Sequence, residues 1–446
     1  MRAAGGRSPA CLLCISGVSF SSDMTRIKGL LIILFLGAAG LSWTQEKNPA
    51  LSPLPLAGRL AAEEEPLSQD SMIEAALVFS GTPEASLDGE RQALHALTAE
   101  FDRRAAGIKD QNGVAREALA FLHEKILKAY LFTQTRVDAA LDTGVYNCVS
   151  ASVLYMILAD SAGLSVSGVR TSDHAFCSVL VDGKEIDVET TNPYGYDPGT
   201  RKDFTDSFGM VTGFSYVPTN NSRDRRAIGE KELLGLILYN RASFEIQRGS
   251  YQTALQPAAS AYALLGSDES LKALRIAVLD YTSMRGQQRK FSEALQLLTE
   301  AEGLYGTAPE LQTQRRTLLE GQVVALVDAG SFSDAQALLQ AYPQVLDQTR
   351  KAELSVYLIQ KKAEAEARGG DYAAAAAVIR DGLALYPGNA SLLRAFEVYV
   401  HNLFAGLYNA RRFQEARDVL TAARGVYADS AALAQDMRAA EQALSR

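Results

Sequence analysis

Apolar positions recur at three- and four-residue steps from about Asp70 to Phe132. Leu94, Leu97 and Phe101, then Ala118, Phe121, Leu122 and Leu127, fall on such steps, the spacing of one helix face. Gly144–Gly163 (GVYNCVSASVLYMILADSAG) begins with turn-forming residues and continues apolar at almost every position. A helix without a polar face is a buried one, and Gly163 supplies its C-terminal stop. The pattern then becomes β-rich. His174–Val181 (HAFCSVLV) and Lys184–Thr191 (KEIDVETT) are separated only by Asp182-Gly183, a dipeptide that favours a tight hairpin turn. Helices first and strands second describe an α+β domain.

From about Lys231 the sequence is helical and repetitive. Tyr251, Phe291, Phe332, Tyr372 and Phe413 are spaced by 40, 41, 40 and 41 residues. Three positions after each aromatic stands Ala254, Ala294, Ala335, Ala375 or Ala416, and four further on Ala258, Leu298, Leu339, Ile379 or Leu420. A small residue at a fixed point lets two helices approach closely, so the pattern predicts stacked helical hairpins. The unit resembles a tetratricopeptide repeat (TPR), in its G-x-[FY]-x-x-A turn and in the trailing Leu383–Ala390 (LALYPGNA). Its period exceeds the usual 34 residues by about six. The resemblance implies an all-α TPR-like helical solenoid of about five hairpins, with a concave face for a protein or peptide partner.

At the other end, Gly29–Trp43 (GLLIILFLGAAGLSW) follows Arg26 and Lys28. A basic flank and about thirteen apolar residues match a secretory signal peptide and fall short of the roughly 20 residues that a spanning helix needs. The expected organisation is a leader at 1–45, with a signal peptide or N-terminal anchor at 24–45 and Met24 standing where an initiator is expected. A linker rich in Pro, Ala and Glu follows at 46–69, then the α+β domain at 70–225 and the repeats at 226–446. Export to the periplasm, or anchorage facing it with residues 27–43 as the membrane tether, is the expected location.

The 446 residues carry 44 Lys and Arg against 52 Asp and Glu, a formal net charge of −8. That balance argues against nucleic acid as a partner, because phosphate binding draws on clustered basic residues. The short run Arg223–Arg226 is interrupted by Asp224 and reads as a linker. Of four cysteines, Cys11 and Cys14 fall in the leader, and Cys148 with Cys177 are too few for a disulfide framework. His95, His123, His174 and His401 lie far apart, no cluster has metal-ligand spacing, and neither a metal nor another cofactor is expected.

Candidate chemistry converges on Cys148. It opens the buried helix, where free N–H groups favour a thiolate and stand ready for an oxyanion. His174 opens a strand and is the imidazole such a nucleophile needs, and an acid must hold that imidazole in the right tautomer. Hairpin geometry ranks two acids. With the turn at Asp182-Gly183, Val181 faces Lys184, Ser178 faces Asp187, Phe176 faces Glu189 and His174 faces Thr191, all on the register fixed by that turn. Glu189 is then the diagonal neighbour of His174, and Asp187, the alternative acid, lies about 7 Å farther along at about 3.4 Å per residue. Cys177 alternates onto the opposite face and reads as core. His95, His123 and His401 lack a partner at a useful spacing, and Asn147, Tyr146 and Asp173 flank the motifs as candidate supports.

G-x-Y-N-C-V-S-A-S-x-L-Y around Cys148, D-H-A-F-x-x-V around His174 and V-E-T-T-N-P-Y-G around Glu189 resemble the three motifs of the transglutaminase-like superfamily. The resemblance covers roughly residues 110–215. Glu189 takes the place of the family's usual Asp, and Phe176 that of its usual strand Trp. The resemblance implies a papain-like fold with a Cys-His-acid triad of Cys148, His174 and Glu189. The implied function is that of an exported cysteine hydrolase that cleaves an amide or peptide bond, or transfers the acyl group. The competing expectation is a non-catalytic TPR scaffold for protein–protein interaction, with a degenerate transglutaminase-like domain.

Overall fold

Residues 48–446 are described by a computed structural model, apart from 200, 214, 219–224 and the side chain of Asp203. The expected leader, its tether at 27–43, and Cys11 and Cys14 lie outside the described residues. No helix among the described residues is long and apolar enough to cross a membrane. The chain is a mostly helical α+β protein, with a mixed N-terminal region around a small antiparallel sheet followed by a long run of packed helices.

The expectation of a linker over 46–69 is corrected from Asn48 onward. Leu51 is wholly buried, and helix α1 (Pro55–Ala62) buries Leu56, Ala57 and Leu60. Leucines at short intervals outweigh the Pro and Glu content here, and Pro55 sits in the first turn, where its missing N–H costs nothing. The helical spacing downstream becomes α2 (Gln69–Ser80), α3 (Glu84–Ala105) and α4 (Gln111–Lys125). A two-residue strand β1 (Ala129–Tyr130), helix α5 (Val137–Thr143) and strand β2 (Val145–Tyr146) follow, with β1 and β2 paired in parallel. Gly144 ends α5 at a left-handed φ of 73° and lies against the Ile126 carbonyl, so β2 starts at a point only glycine fits.

Helix α6 (Cys148–Ser161) is buried from Cys148 to Ala159, as its unbroken apolar run requires. Strands β3 (Ser165–Arg170) and β4 (Ala175–Val181) pack against it, β5 (Lys184–Val188) pairs with β4, and after α7 (Lys202–Thr212) strand β6 (Arg226–Ile228) completes a sheet in the order β5-β4-β3-β6. The β4–β5 hairpin turns at Asp182 and Gly183, both with positive φ, and pairs Val181 with Lys184 and Ser178 with Asp187. The ladder ends at Cys177–Val188.

Five helical hairpins follow: α8 (Glu230–Gln247) with α9 (Tyr251–Leu265), α10 (Asp268–Gln287) with α11 (Phe291–Tyr305), α12 (Pro309–Asp328) with α13 (Phe332–Ala341), α14 (Gln348–Arg368) with α15 (Tyr372–Leu385), and α16 (Ala390–Asn409) with α17 (Phe413–Val426); α18 (Ala431–Leu444) closes the run. Each repeated aromatic is the first residue of the second helix of its hairpin. Each repeated alanine, from Ala254 to Ala416, is 0% exposed where the helices meet. Successive first helices lie side by side. Leu233, Leu234, Leu236, Ile237 and Leu238 of α8 share one hydrophobic core with α2 and α6, so the first repeat helix completes the N-terminal core.

Replacing Leu51 by Ala removes a fully buried side chain between the N-terminal segment and the repeats. A loss of about 2–4 kcal/mol is expected, read as a lower urea midpoint at unchanged slope. An unchanged midpoint would return residues 48–54 to the role of a passive tether.

Candidate active site

The three motif residues converge. Asn147 caps α6, its side-chain oxygen accepting the N–H groups of Val149 (3.0 Å) and Ser150 (3.1 Å), while Ser150 Oγ accepts the Asn147 N–H (3.0 Å). This reciprocal cap fixes where the helix begins and makes Cys148 its first residue. The Ala151 N–H goes to the Asn147 carbonyl, and the Cys148 N–H makes no hydrogen bond to the described residues. One backbone donor is therefore left beside the sulfur. Asn147 also donates to the Phe132 carbonyl (2.9 Å), tying the cap to the chain after β1.

His174 sits just before β4, after a turn in which the Thr171 N–H bonds the His174 carbonyl (2.9 Å) and the His174 N–H bonds Thr171 Oγ1 (3.1 Å). Its Nε2 contacts Glu189 Oε2 at 2.9 Å, and the ring lies within hydrogen-bond reach of the Cys148 side chain. With Nε2–H on the carboxylate, Nδ1 is the ring nitrogen with the lone pair to accept a thiol proton. Burial alone would lower the basicity of His174, but the Glu189 carboxylate and the Cys148 sulfur reverse this and raise its pKa well above the ordinary value. Phe208 meets the ring edge-on at 5.2 Å and Phe176 stacks at 6.1 Å, so the imidazole turns in an aromatic sleeve.

Glu189 is 0% exposed. Its second oxygen accepts the Thr191 N–H (3.1 Å) and the Thr191 hydroxyl (2.7 Å), which fixes the carboxylate plane. Asp187, the alternative acid, lies elsewhere, paired through both oxygens with Arg225 at 2.7 Å and receiving the Tyr216 hydroxyl. The register derived from the turn holds wherever the ladder is paired. Beyond Val188 the chain leaves the sheet, the Glu189 N–H bonding the Gly195 carbonyl (2.8 Å). Gly195 is sterically required, because a Cβ there would stand 2.0 Å from the Glu189 carbonyl oxygen.

Tyr146 donates its hydroxyl to the Thr191 carbonyl (3.0 Å), and burial pushes its pKa up to about 12. Asp173 is exposed, accepts the Thr171 hydroxyl at 3.3 Å and lines the same cleft as His174. Cys177 is fully buried and donates to the Ser152 carbonyl (3.4 Å), with its thiol pKa raised by burial. Both described cysteines are free thiols. His95 lies 3.4 Å from Asp70, and His401 lies 2.8 Å from Asp436 in the repeats.

His123 is the residue the sequence pattern did not single out. Its Nε2 donates to the Thr190 carbonyl (3.0 Å), and its ring meets Tyr146 edge-on at 6.0 Å. Ser152 and Thr190 share a hydroxyl contact of 2.9 Å on the other side. The segment 189–191 is thus held by α4, β2 and α6 together. Nothing local marks His123, which stands 67 residues before the carbonyl it holds.

Cys148, His174, Asn147 and Phe132 line a cleft of about 210 Å³ whose far wall is α8, through Leu236, Tyr239, Asn240, Ser243, Phe244 and Gln247. Cys148 is 4% exposed. Among the described residues no group of three or more His, Cys, Asp or Glu could hold a metal ion.

No protein-family model matches the chain. No curated protein matches it. Among solved structures, a crystal structure of menin, which reveals the binding site for Mixed Lineage Leukemia (MLL) protein, aligns over 72% of this chain and 91% of that one. The identity is 13% and the TM-score 0.30, a likeness too distant to carry an argument.

Two outcomes test the support around Glu189. Burial lowers the pKa of His123 to about 4, so the folded state holds it neutral while the unfolded chain takes up a proton below about pH 6.5. Its contribution is therefore full above pH 6.5 and shrinks as pH falls towards 4. The stability difference between wild type and His123→Gln should narrow by about 2 kcal/mol over that window, after discounting for partial exposure. A constant difference in urea unfolding from pH 7 to pH 4 would refute the neutral, buried assignment. Gly195→Ala should cost about 2 kcal/mol or more by overpacking and displace Glu189, seen as a shifted His174 ring resonance in NMR. A stable variant with that resonance unmoved would rule the constraint out.

Proposed function

We propose that this chain is an exported transglutaminase-like, papain-like cysteine hydrolase, joined to a TPR-like solenoid that takes a protein or peptide partner on its concave face. The observation that carries the reading is the line from the fully buried Glu189 carboxylate through the His174 imidazole to Cys148, at the first position of a buried helix. Nucleophile, base and orienting acid stand in the order that acyl transfer needs. The basic and apolar leader of the sequence is what supports export.

In this mechanism His174 Nδ1 takes the Cys148 proton as the sulfur attacks an amide carbonyl carbon. The developing oxyanion meets the Cys148 N–H, the amide of α6 that the Asn147 cap leaves unused. The tetrahedral intermediate collapses with loss of the amine, which receives the proton back from the imidazolium. A water then gives its proton to His174, attacks the thioester carbon and releases the carboxylic acid and the thiol. An amine in place of water gives acyl transfer. Glu189 keeps Nε2 protonated throughout and compensates the imidazolium charge.

A second reading, a non-catalytic scaffold with a degenerate first domain, is favoured by one observation. Cys148 is 4% exposed and its cleft is about 210 Å³, less than the few hundred Å³ usual for a ligand site.

Alkylation of the full chain by iodoacetamide, followed by peptide mass mapping, separates the two. The hydrolase reading expects Cys148 to react at least about tenfold faster at pH 7 than a free thiol, and to lose that advantage in His174→Ala and Glu189→Gln. A Cys148 that reacts no faster than a free thiol sinks the hydrolase and leaves the scaffold.

A further inference from the structure

The groove between α13 and α15 repeats a binding arrangement that the chain uses on itself elsewhere. Residues 48–54 (Asn-Pro-Ala-Leu-Ser-Pro-Leu) lie across the seam between α9 and α11, the second helices of the first two hairpins. The segment forms a turn, with the Leu51 N–H on the Asn48 carbonyl (2.9 Å) and the Asn48 side chain accepting the Ala50 N–H (3.0 Å). Leu51 enters the apolar cluster of the first repeats and is 0% exposed. Its backbone is read by both helices. Tyr305 of α11 donates its hydroxyl to the Leu51 carbonyl, and Glu300 accepts the Asn48 N–H. From α9, Ser260 accepts the Leu54 N–H (2.9 Å) and Gln256 donates to the Ser52 carbonyl (3.5 Å).

The two reading residues of α11 recur in one later hairpin. Tyr305 lies fourteen residues after Phe291 and Glu300 nine; Tyr386 and Asp381 stand at the same distances after Tyr372. The other repeats lack the pair, with Leu265 and Ser260, Leu346 and Ala341, or Tyr427 and Ala422 at those positions. Tyr386 and Asp381 line a groove of about 540 Å³, larger than the cleft at Cys148. Its floor is apolar, from Leu339, Leu358, Ile359 and Val378, and Leu385 at its edge is 71% exposed. On the α13 side Gln336 and Gln340 offer side-chain amides, as Gln256 does on α9.

We propose that the α13–α15 groove is a docking site for a proline-flanked turn of a partner protein that presents a leucine, of the Asn-Pro-x-Leu type found at residues 48–51. The leucine fills the apolar floor, the Tyr386 hydroxyl donates to its carbonyl, Asp381 accepts an N–H three residues earlier, and Gln336 or Gln340 bonds the chain after it. Lys351 and Lys362 on α14 also line the groove, so the site favours a segment without added basic residues. The chain's own copy is committed to the first seam by the burial of Leu51 and the packing of α1 on α9. The occupant is therefore another protein. This site is separate from Cys148, and its assignment stands whether or not the cysteine is catalytic.

The test titrates a fluorescein-labelled peptide of the sequence Asn-Pro-Ala-Leu-Ser-Pro-Leu with the full chain and follows anisotropy. Saturable binding is expected, weakened at least about tenfold by Leu385→Asp or Tyr386→Ala, and abolished when the peptide's first leucine is replaced by Asp. Tyr305→Phe should leave the affinity unchanged. Leu385 is largely exposed, so its variant tests the site even where Tyr386→Ala perturbs folding; circular dichroism checks both. Three results would overturn the proposal. One is the absence of saturable binding, and another is weakening by Tyr305→Phe but not by Leu385→Asp, which marks exchange into the first seam. The third is a concentration-dependent dimer in sedimentation that Leu385→Asp abolishes, which assigns the groove to a second copy of this chain.

Discussion

A carboxylate with no solvent contact is tolerated only when its neighbours replace what water would supply, because an uncompensated buried charge costs several kcal/mol. Glu189 is in that position, and much of the local architecture is arranged around it. One oxygen is taken by the Thr191 N–H and hydroxyl and the other by the His174 ring. Those donors stand where they do because the 189–191 segment is tied down in turn, its carbonyls by His123 from α4 and Tyr146 from β2 and its Thr190 hydroxyl by Ser152 from α6. Gly195 lets the returning chain close on the Glu189 carbonyl. The imidazole is then positioned from the acid side, and the aromatic sleeve of Phe176 and Phe208 limits its rotation.

The same buried arrangement governs access. α8 is apolar where it meets α2 and α6, and it presents Tyr239, Asn240, Ser243 and Gln247 to the cleft. It cannot be removed from the N-terminal region without exposing five large apolar side chains, at about 2 kcal/mol each. The first helix of the repeats is for that reason also a wall of the cysteine cleft. Arg170 strengthens the junction from the sheet side, with Glu269 of α10 at 2.9 Å and Glu232 of α8 at 3.4 Å.

The readable parts of this molecule were those whose determinants are local. The Asp-Gly turn set the hairpin register, because both residues accept positive φ and the side-chain period of two does the rest. The repeated aromatic and alanine marked the start of each second helix and its point of closest approach. The meeting of Glu189 with His174 was legible for the same reason, although the ladder stops one residue short of Glu189. What escaped was non-local. The linker composition of residues 48–62 concealed a segment held by residues more than 200 positions away. His123 reads as one polar residue on an amphipathic helix, and its role exists only once a carbonyl 67 residues on is brought to it. The role of α8 as a cleft wall depends on how two regions pack, which no spacing within either records.

The long period of the repeats has a structural consequence that links these points. The extra residues lie in the first helices: α10, α12 and α16 each have 20 residues and α14 has 21, against 15 in α9 and α11 and 14 in α15 and α17. At about 1.5 Å per residue, a first helix runs about 30 Å and its partner about 21 Å. The difference in length runs from about 4.5 Å between α8 and α9 to about 15 Å between α12 and α13. Apolar surface left in such a gap must be filled or exposed. In the first seam the chain's own residues 48–54 lie against α9 and α11 and bury Leu51 there. At α13, the shortest second helix with 10 residues, the shortfall is greatest, and there the 540 Å³ groove opens. The first seam, with 15-residue second helices on both sides, is closed by the N-terminal segment, and the groove lies beside the 10-residue α13.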